Sequence, residues 1–158
     1  MSAHHIYDNA PLGSLVRYSD GTSKPPARFN KKLAAWQNRN GVARPVKKQP
    51  QRDRRTHTSP ASITLHESDF ATGGVVVVVT VLRTHSVDSD LRFEIIERPA
   101  VGAVRILQEH AAGAELLHLA ENRAAAERWL TQHRYCNVRI EDVTGDELSV
   151  DIVEGGAA

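Results

Sequence analysis

The chain has 158 residues, enough for one core of ordinary size and too few for two. Its single cysteine, Cys136, excludes an intrachain disulfide and gives no sign of an oxidising compartment. The net charge of +1 conceals a partition: residues 1–60 hold 12 Lys and Arg against three acids, and residues 61–158 hold eight Arg against 16 acids, so the two parts carry +9 and −8. Asymmetry of this size points to a polyanion-seeking segment attached to an acidic domain.

Residues 1–44 are expected to form a basic N-terminal arm. Half of the eight aromatic residues fall here, as Tyr7, Tyr18, Phe29 and Trp36, whereas chains that stay disordered are poor in such residues. "SLVRYSDGTSKPP" offers a short apolar stretch and then Asp20-Gly21, a pair suited to a tight turn or small hairpin. Pro25 and Pro26 suit the first turn of a following helix, and Gly41 is placed to end it. Within "ARFNKKLAAWQNRNG" the apolar Phe29, Leu33 and Trp36 recur at helical spacing, so a short helix with a narrow apolar stripe is expected. Helices of this length are marginal alone. Phe29, Leu33 and Trp36 are therefore the candidate partner-binding residues.

Residues 45–62 read as a flexible basic linker, because their prolines and cations leave Val46 as the only large aliphatic side chain before Ile63. Such a segment buries too little to offset the entropy of ordering. As a coil it would span roughly 25 Å.

Residues 63–154 read as an acidic α+β globular domain, with residues 155–158 as a tail. "SITLHES" alternates, and "GGVVVVVTVLRTH" is a β-branched run expected to be a central strand buried on both faces. "LRFEIIERP", "AVRILQEH" and "AELLHLAE" are further short strands, making an antiparallel meander of about five. Asn122 is placed to cap a helix in which Ala126, Trp129, Leu130 and His133 share one face, with Trp129 as its central packing residue. "NVRIEDV" and "ELSVDIV" flank "TGD" as a final hairpin. The predicted fold is thus an antiparallel sheet of about five to seven short strands with one covering helix, preceded by the arm.

The chemistry of catalysis is hard to find. No nucleophile-elbow, Walker or dinucleotide-binding pattern is present, and the carboxylates fall at turn and outward strand positions rather than in pairs. No enzymatic activity and no cofactor are expected. His110, His118, His133 and Cys136 lack the paired spacing of a zinc site, so no metal is expected either. The longest wholly apolar run, Val75–Val79, is far short of the ~20 residues of a spanning helix. "MSAHHIYDNAPLG" lacks the basic and apolar regions of a secretory signal, and a cytoplasmic, membrane-independent protein is expected.

The segment richest in chemistry is the cationic one. Lys24, Arg28, Lys31, Lys32, Arg39, Arg44, Lys47, Lys48, Arg52, Arg54 and Arg55 are the candidate nucleic-acid contacts, and neutralising six phosphates would give a log–log salt slope near −5. The expected function is a non-enzymatic nucleic-acid-associated accessory protein whose arm contacts phosphate while the domain mediates protein contacts or dimerisation. The alternative is an interaction or inhibitor protein that inserts the 29–39 helix into a partner groove. The Ala, Arg and Val bias resembles that of GC-rich bacterial genes, and the small size and split charge resemble those of accessory proteins carried by phages or conjugative elements; neither assigns a residue.

Overall fold

A computed structural model describes residues 1–72 and 76–147. The chain runs α1 (Ala3–Asn9), β1 (Leu15–Ser19), α2 (Asn30–Gln37), β2 (Gly41–Gln49), β3 (Arg52–Asp53), β4 (Thr58–Ser59), β5 (Ser62–Thr72), β6 (Val76–Ser86), β7 (Arg92–Glu97), β8 (Val104–His110), β9 (Gly113–Ala120), α3 (Arg123–Gln132) and β10 (Val138–Asp142). It is broadly α+β and mostly antiparallel sheet, as expected.

The N-terminal segment departs most from expectation. Ser2 caps α1 by accepting from the backbone N of His5, and Ala3, Ile6 and Ala10 are fully buried. With Val16 and Tyr18 of β1 they form one core with Ala43, Ile63, Leu65, Leu91 and Phe93. The Phe93 backbone N also donates to the Met1 carbonyl at 2.9 Å. Residues 3–19 are thus an integral part of the domain, not an arm. The short stripe of Ala3, Ile6 and Ala10 decides their place.

β2 is the hub of an eight-stranded sheet ordered β10-β8-β9-β2-β1-β7, with β5 also paired to β2 and β6 paired to β5. Residues 41–43 pair with β1 and residues 44–49 with β5, and Lys47 faces Thr64 on one side and Glu115 of β9 on the other. Residues 45–49, expected in a flexible linker, are therefore strand. Pro45 fits because the ladder shifts register between Pro45 and Lys47, a bulge being where a strand tolerates a missing N–H. Its carbonyl accepts from Gly13 N at 3.0 Å. The rest of the expected linker is a small hairpin of β3 and β4, whose Arg52, Arg54 and Arg55 are exposed.

The strands expected after residue 63 form, but not as a simple meander, since β2 lies between β9 and β5. β6 is not a central strand: among the described residues it pairs with β5 alone. The β5–β6 ribbon runs past the end of its pairing with β2 at Arg44↔His66, and there exposes Phe70 and Val79.

A second core packs α3 on β8, β9 and β10 through Val104, Ile106, Ala120 and Ala126. Asn122 caps α3 as expected, its side chain accepting from Ala125 N at 2.9 Å. The fully buried residue of the helix is Ala126, with Trp129 half-buried at the rim of this core. Of the expected final hairpin, the first strand forms as β10, paired with β8; "LSVDIV" lies outside the described residues.

Candidate functional site

Two surfaces carry chemistry, the basic protrusions at the ends of β2 and a groove over its middle. α2 sits in the long connection from β1 to β2 and has no buried residue. Asp20 fixes the start of that connection, accepting from Thr22 N at 3.0 Å, Thr22 Oγ1 at 2.6 Å and Asn40 Nδ2 at 3.0 Å. These bonds, chiefly those from Thr22, hold its carboxyl down at about 2. The Trp36 indole donates to the Thr22 carbonyl at 3.0 Å, so its polar edge is committed within the loop. Leu33 is half-buried, and Phe29 remains exposed with Arg28 Cζ at 4.8 Å and Lys32 Nζ at 5.4 Å from its ring centre. The helix ends at Gln37, and Gly41 opens β2 instead of ending α2.

The eleven candidate phosphate contacts do not form one run in space. Arg39 is bound to Asp90 at 2.6 Å and Asp20 at 3.4 Å, and Lys47 to Glu115 at 3.2 Å. Arg44 donates to the Gly13 carbonyl at 2.7 Å. Lys48 lies over the Tyr7 ring, and burial lowers its pKa. Seven remain exposed and, among the described residues, outside any ion pair: Lys24, Arg28, Lys31 and Lys32 before β2, and Arg52, Arg54 and Arg55 after it. Nine residues of extended strand separate the two groups, about 30 Å of rise.

The groove has a volume of about 800 Å³ and lies between the β5–β6 ribbon and the β9–α3 side of the sheet. Arg44 and Val46 contribute from β2, His66, Asp69, Thr80 and Leu82 from the ribbon, and Leu116 to Leu119 from β9. β-strand alternation explains the ribbon's contribution: Thr80 and Leu82 point one way while Arg83 and His85 on the same ladder pair with the buried Leu65 and Ile63.

Trp129 organises the other wall. Its ring lies parallel to His118 (5.0 Å, 4°), His133 (4.1 Å, 12°) and Tyr135 (5.7 Å, 5°). His133 follows Trp129 by one helical turn, and its Nδ1 lies 2.9 Å from the Trp129 carbonyl. Burial, with His133 nearby, lowers the His118 pKa, which keeps that imidazole neutral near pH 7. Across the groove His66 Nε2 and Asp69 Oδ1 are 2.9 Å apart, and this contact is the main reason the Asp69 pKa is lowered. Among the described residues no group of three or more His, Cys, Asp or Glu is placed to hold a metal ion. No described helix is long and apolar enough to cross a membrane.

Of the groove residues, only Arg44 was a sequence candidate. His66, Asp69, His118, Trp129, His133 and Tyr135 come from three separate segments. The linear traces of their association are the Trp129/His133 spacing of four at the end of α3 and the His66/Asp69 spacing of three on β5.

No curated protein and no solved structure matches the chain. The family model described as "Uncharacterised conserved protein UCP036055" matches residues 1–147. That match takes in both cores, the two basic protrusions and every residue of the groove, and the chain belongs to this family.

Proposed function

We infer that the protein is a non-enzymatic nucleic-acid-associated protein that contacts phosphates through two basic protrusions held at opposite ends of β2. One observation carries this reading: seven exposed cations without an acidic partner among the described residues, gathered at the two ends of β2, while most other Lys and Arg engage carboxylates or carbonyls and the exposed exceptions, Arg92, Arg128 and Arg134, lie in other segments. A solvated cation with no partner keeps its full capacity to displace counterions from a polyanion. Mounting such groups on an ordered loop-helix and a short hairpin fixes their separation, which a flexible arm would not.

The test is binding of a labelled oligonucleotide to the whole chain across a salt series. Seven contacts correspond to a log–log slope of about −5 on single strands. Replacing Lys31, Lys32 and Arg28 by Ala should flatten the slope by about 2, and replacing Arg52, Arg54 and Arg55 should do the same. Binding that is absent, or indifferent to salt, contradicts the reading.

The inhibitor-type alternative has less support. The helix it would insert has its indole N–H committed to Thr22 and its one exposed apolar ring flanked by cations.

A further inference from the structure

The groove has walls of different character, and its occupant can be argued from them. On the α3 side, three ring planes lie within 12° of that of Trp129, so the wall offers flat π-faces in a common orientation. Tyr135, at the mouth, keeps 47% of its surface exposed. A planar ligand laid on this wall continues an arrangement the protein already builds, with the offset-stacked geometry that aromatic pairs prefer. The facing ribbon wall is polar, carrying the His66–Asp69 pair and Thr80, groups that offer donors and acceptors to the edge of a heterocycle. A volume of about 800 Å³ falls within the usual range for a small-molecule-sized site. It suits one or two ring systems with their sugars, not a folded partner.

The position of the groove narrows the ligand further. Its floor includes Arg44 and Val46, in the middle of the strand whose two ends carry the free cations. A chain lying along β2 therefore meets cations, then an aromatic groove, then cations again. A nucleic acid with unpaired bases presents charge and free ring faces in that order, whereas in a duplex the faces are already covered by neighbouring pairs.

We propose that the groove is a base-stacking site for single-stranded nucleic acid, in which one or two unpaired bases lie against the Trp129 wall while their edges face His66, Asp69 and Thr80. This rests on the nucleic-acid reading above and narrows it from phosphate contact to strand state. Tyr135, the exposed ring of the wall, supplies the free stacking face, and Trp129 sets the plane in which it lies. His118 and His133, parallel to the indole, hold it in plane.

The experiment uses the whole chain with a labelled oligothymidylate of about 12 residues and a duplex of the same length, at matched salt. The single strand should bind at least tenfold more tightly. Tyr135→Ala and Trp129→Leu should each weaken single-strand binding by roughly 5- to 100-fold and leave duplex binding unchanged, and Trp129→Phe, which keeps a flat ring, should recover most of the loss. Equal affinity for both forms, with the variants indifferent, overturns the groove proposal and leaves the phosphate reading standing. Free adenosine separates the two claims from the other side, since it carries no phosphate. In protein bearing Trp36→Phe, where Trp129 is the sole indole, adenosine at millimolar concentration should quench its fluorescence, and that result supports the groove even if the basic protrusions prove silent. Quenching by an apolar peptide but not by adenosine assigns the groove to a protein partner and overturns the proposal.

Discussion

A Cβ placed on Gly41 would stand 2.6 Å from the hydroxyl oxygen of Tyr18, closer than real Cβ contacts allow. The two residues face each other across the β1–β2 ladder, and the missing side chain of one makes room for the ring of the other. Tyr18 uses that room to donate its hydroxyl to Glu67, at the root of the β5–β6 ribbon. Burial opposes ionisation of Glu67, but the bonds from Arg83 and Tyr18 outweigh it and lower its pKa. Burial and the Glu67 carboxylate together raise the Tyr18 pKa, so the phenol stays a donor. Gly41→Ala should therefore displace the Tyr18 ring and loosen the ribbon, at about 1–3 kcal/mol. Urea denaturation measures the loss, and a fully stable variant contradicts the packing described.

The N-terminal segment offers a sharper contrast. Ile6 is fully buried in the first core, and Ile6→Ala should cost about 3 kcal/mol. Replacing Arg28, Lys31 and Lys32 together, all exposed in or just before a helix with no buried residue, should stay within about 0.5 kcal/mol per site. Thermal melts of the two variants distinguish an integral N-terminus from an appended one.

Stability should also depend on pH through His85. Its ring lies 5.1 Å from Tyr18 and 5.5 Å from Phe93, and its Nε2 is buried with no hydrogen-bond partner among the described residues. Burial, then the nearby Arg83, lowers its pKa, with Glu67 opposing. The unfolded chain therefore takes up this proton first as pH falls. The contribution is fully present above about pH 6.5, the ordinary histidine value, and is lost as pH falls from there toward the lowered folded-state pKa. His118, lowered in the same direction, adds to the slope. His85→Phe should flatten the decline in urea midpoint between pH 7 and 5. Parallel curves for the two proteins contradict this.

Arg105 joins the two cores. Its side chain is 4% exposed, with Nε donating to the Leu12 carbonyl at 2.9 Å and the guanidinium bound to Glu141 at 3.0 Å and Glu147 at 2.6 Å. Arg105→Met keeps the length of the side chain but takes the donor from the Leu12 carbonyl and from Glu147, while Glu141 keeps Arg139 at 3.3 Å, and should cost about 3 kcal/mol. Urea denaturation measures the loss, and an unchanged midpoint contradicts the bridge described.

Much of the fold was legible where one segment carried its own signal. Asn122 and the Ala126/Trp129 stripe identified α3, and the alternation of Val138 and Ile140 identified β10. What was lost concerned residues whose role is fixed by distant partners. Pro45, Lys47 and Lys48 read as linker because proline and lysine are poor strand formers, yet β5 and β9 flank them, and tertiary pairing overrides propensity. "GGVVVVVTVLRTH" read as a central strand because composition cannot tell a central strand from an edge one, and among the described residues β6 pairs with β5 alone. The groove was illegible for the same reason: His66, His118 and Trp129 meet only after β2 has brought β5 and β9 to its two sides. The exposed cations were legible as residues, but not their division into two groups by the length of β2.

The central claim is that both ends of β2 contact one polyanion, and the salt dependence of oligonucleotide binding tests it most directly. The account predicts a log–log slope of about −5 for the whole chain, reduced by about 3 when all four cations of the Lys24–Lys32 group are replaced, by about 2 when Arg52, Arg54 and Arg55 are, and by about 5 when both groups are. A slope near zero, or one that neither set of substitutions changes, would contradict it.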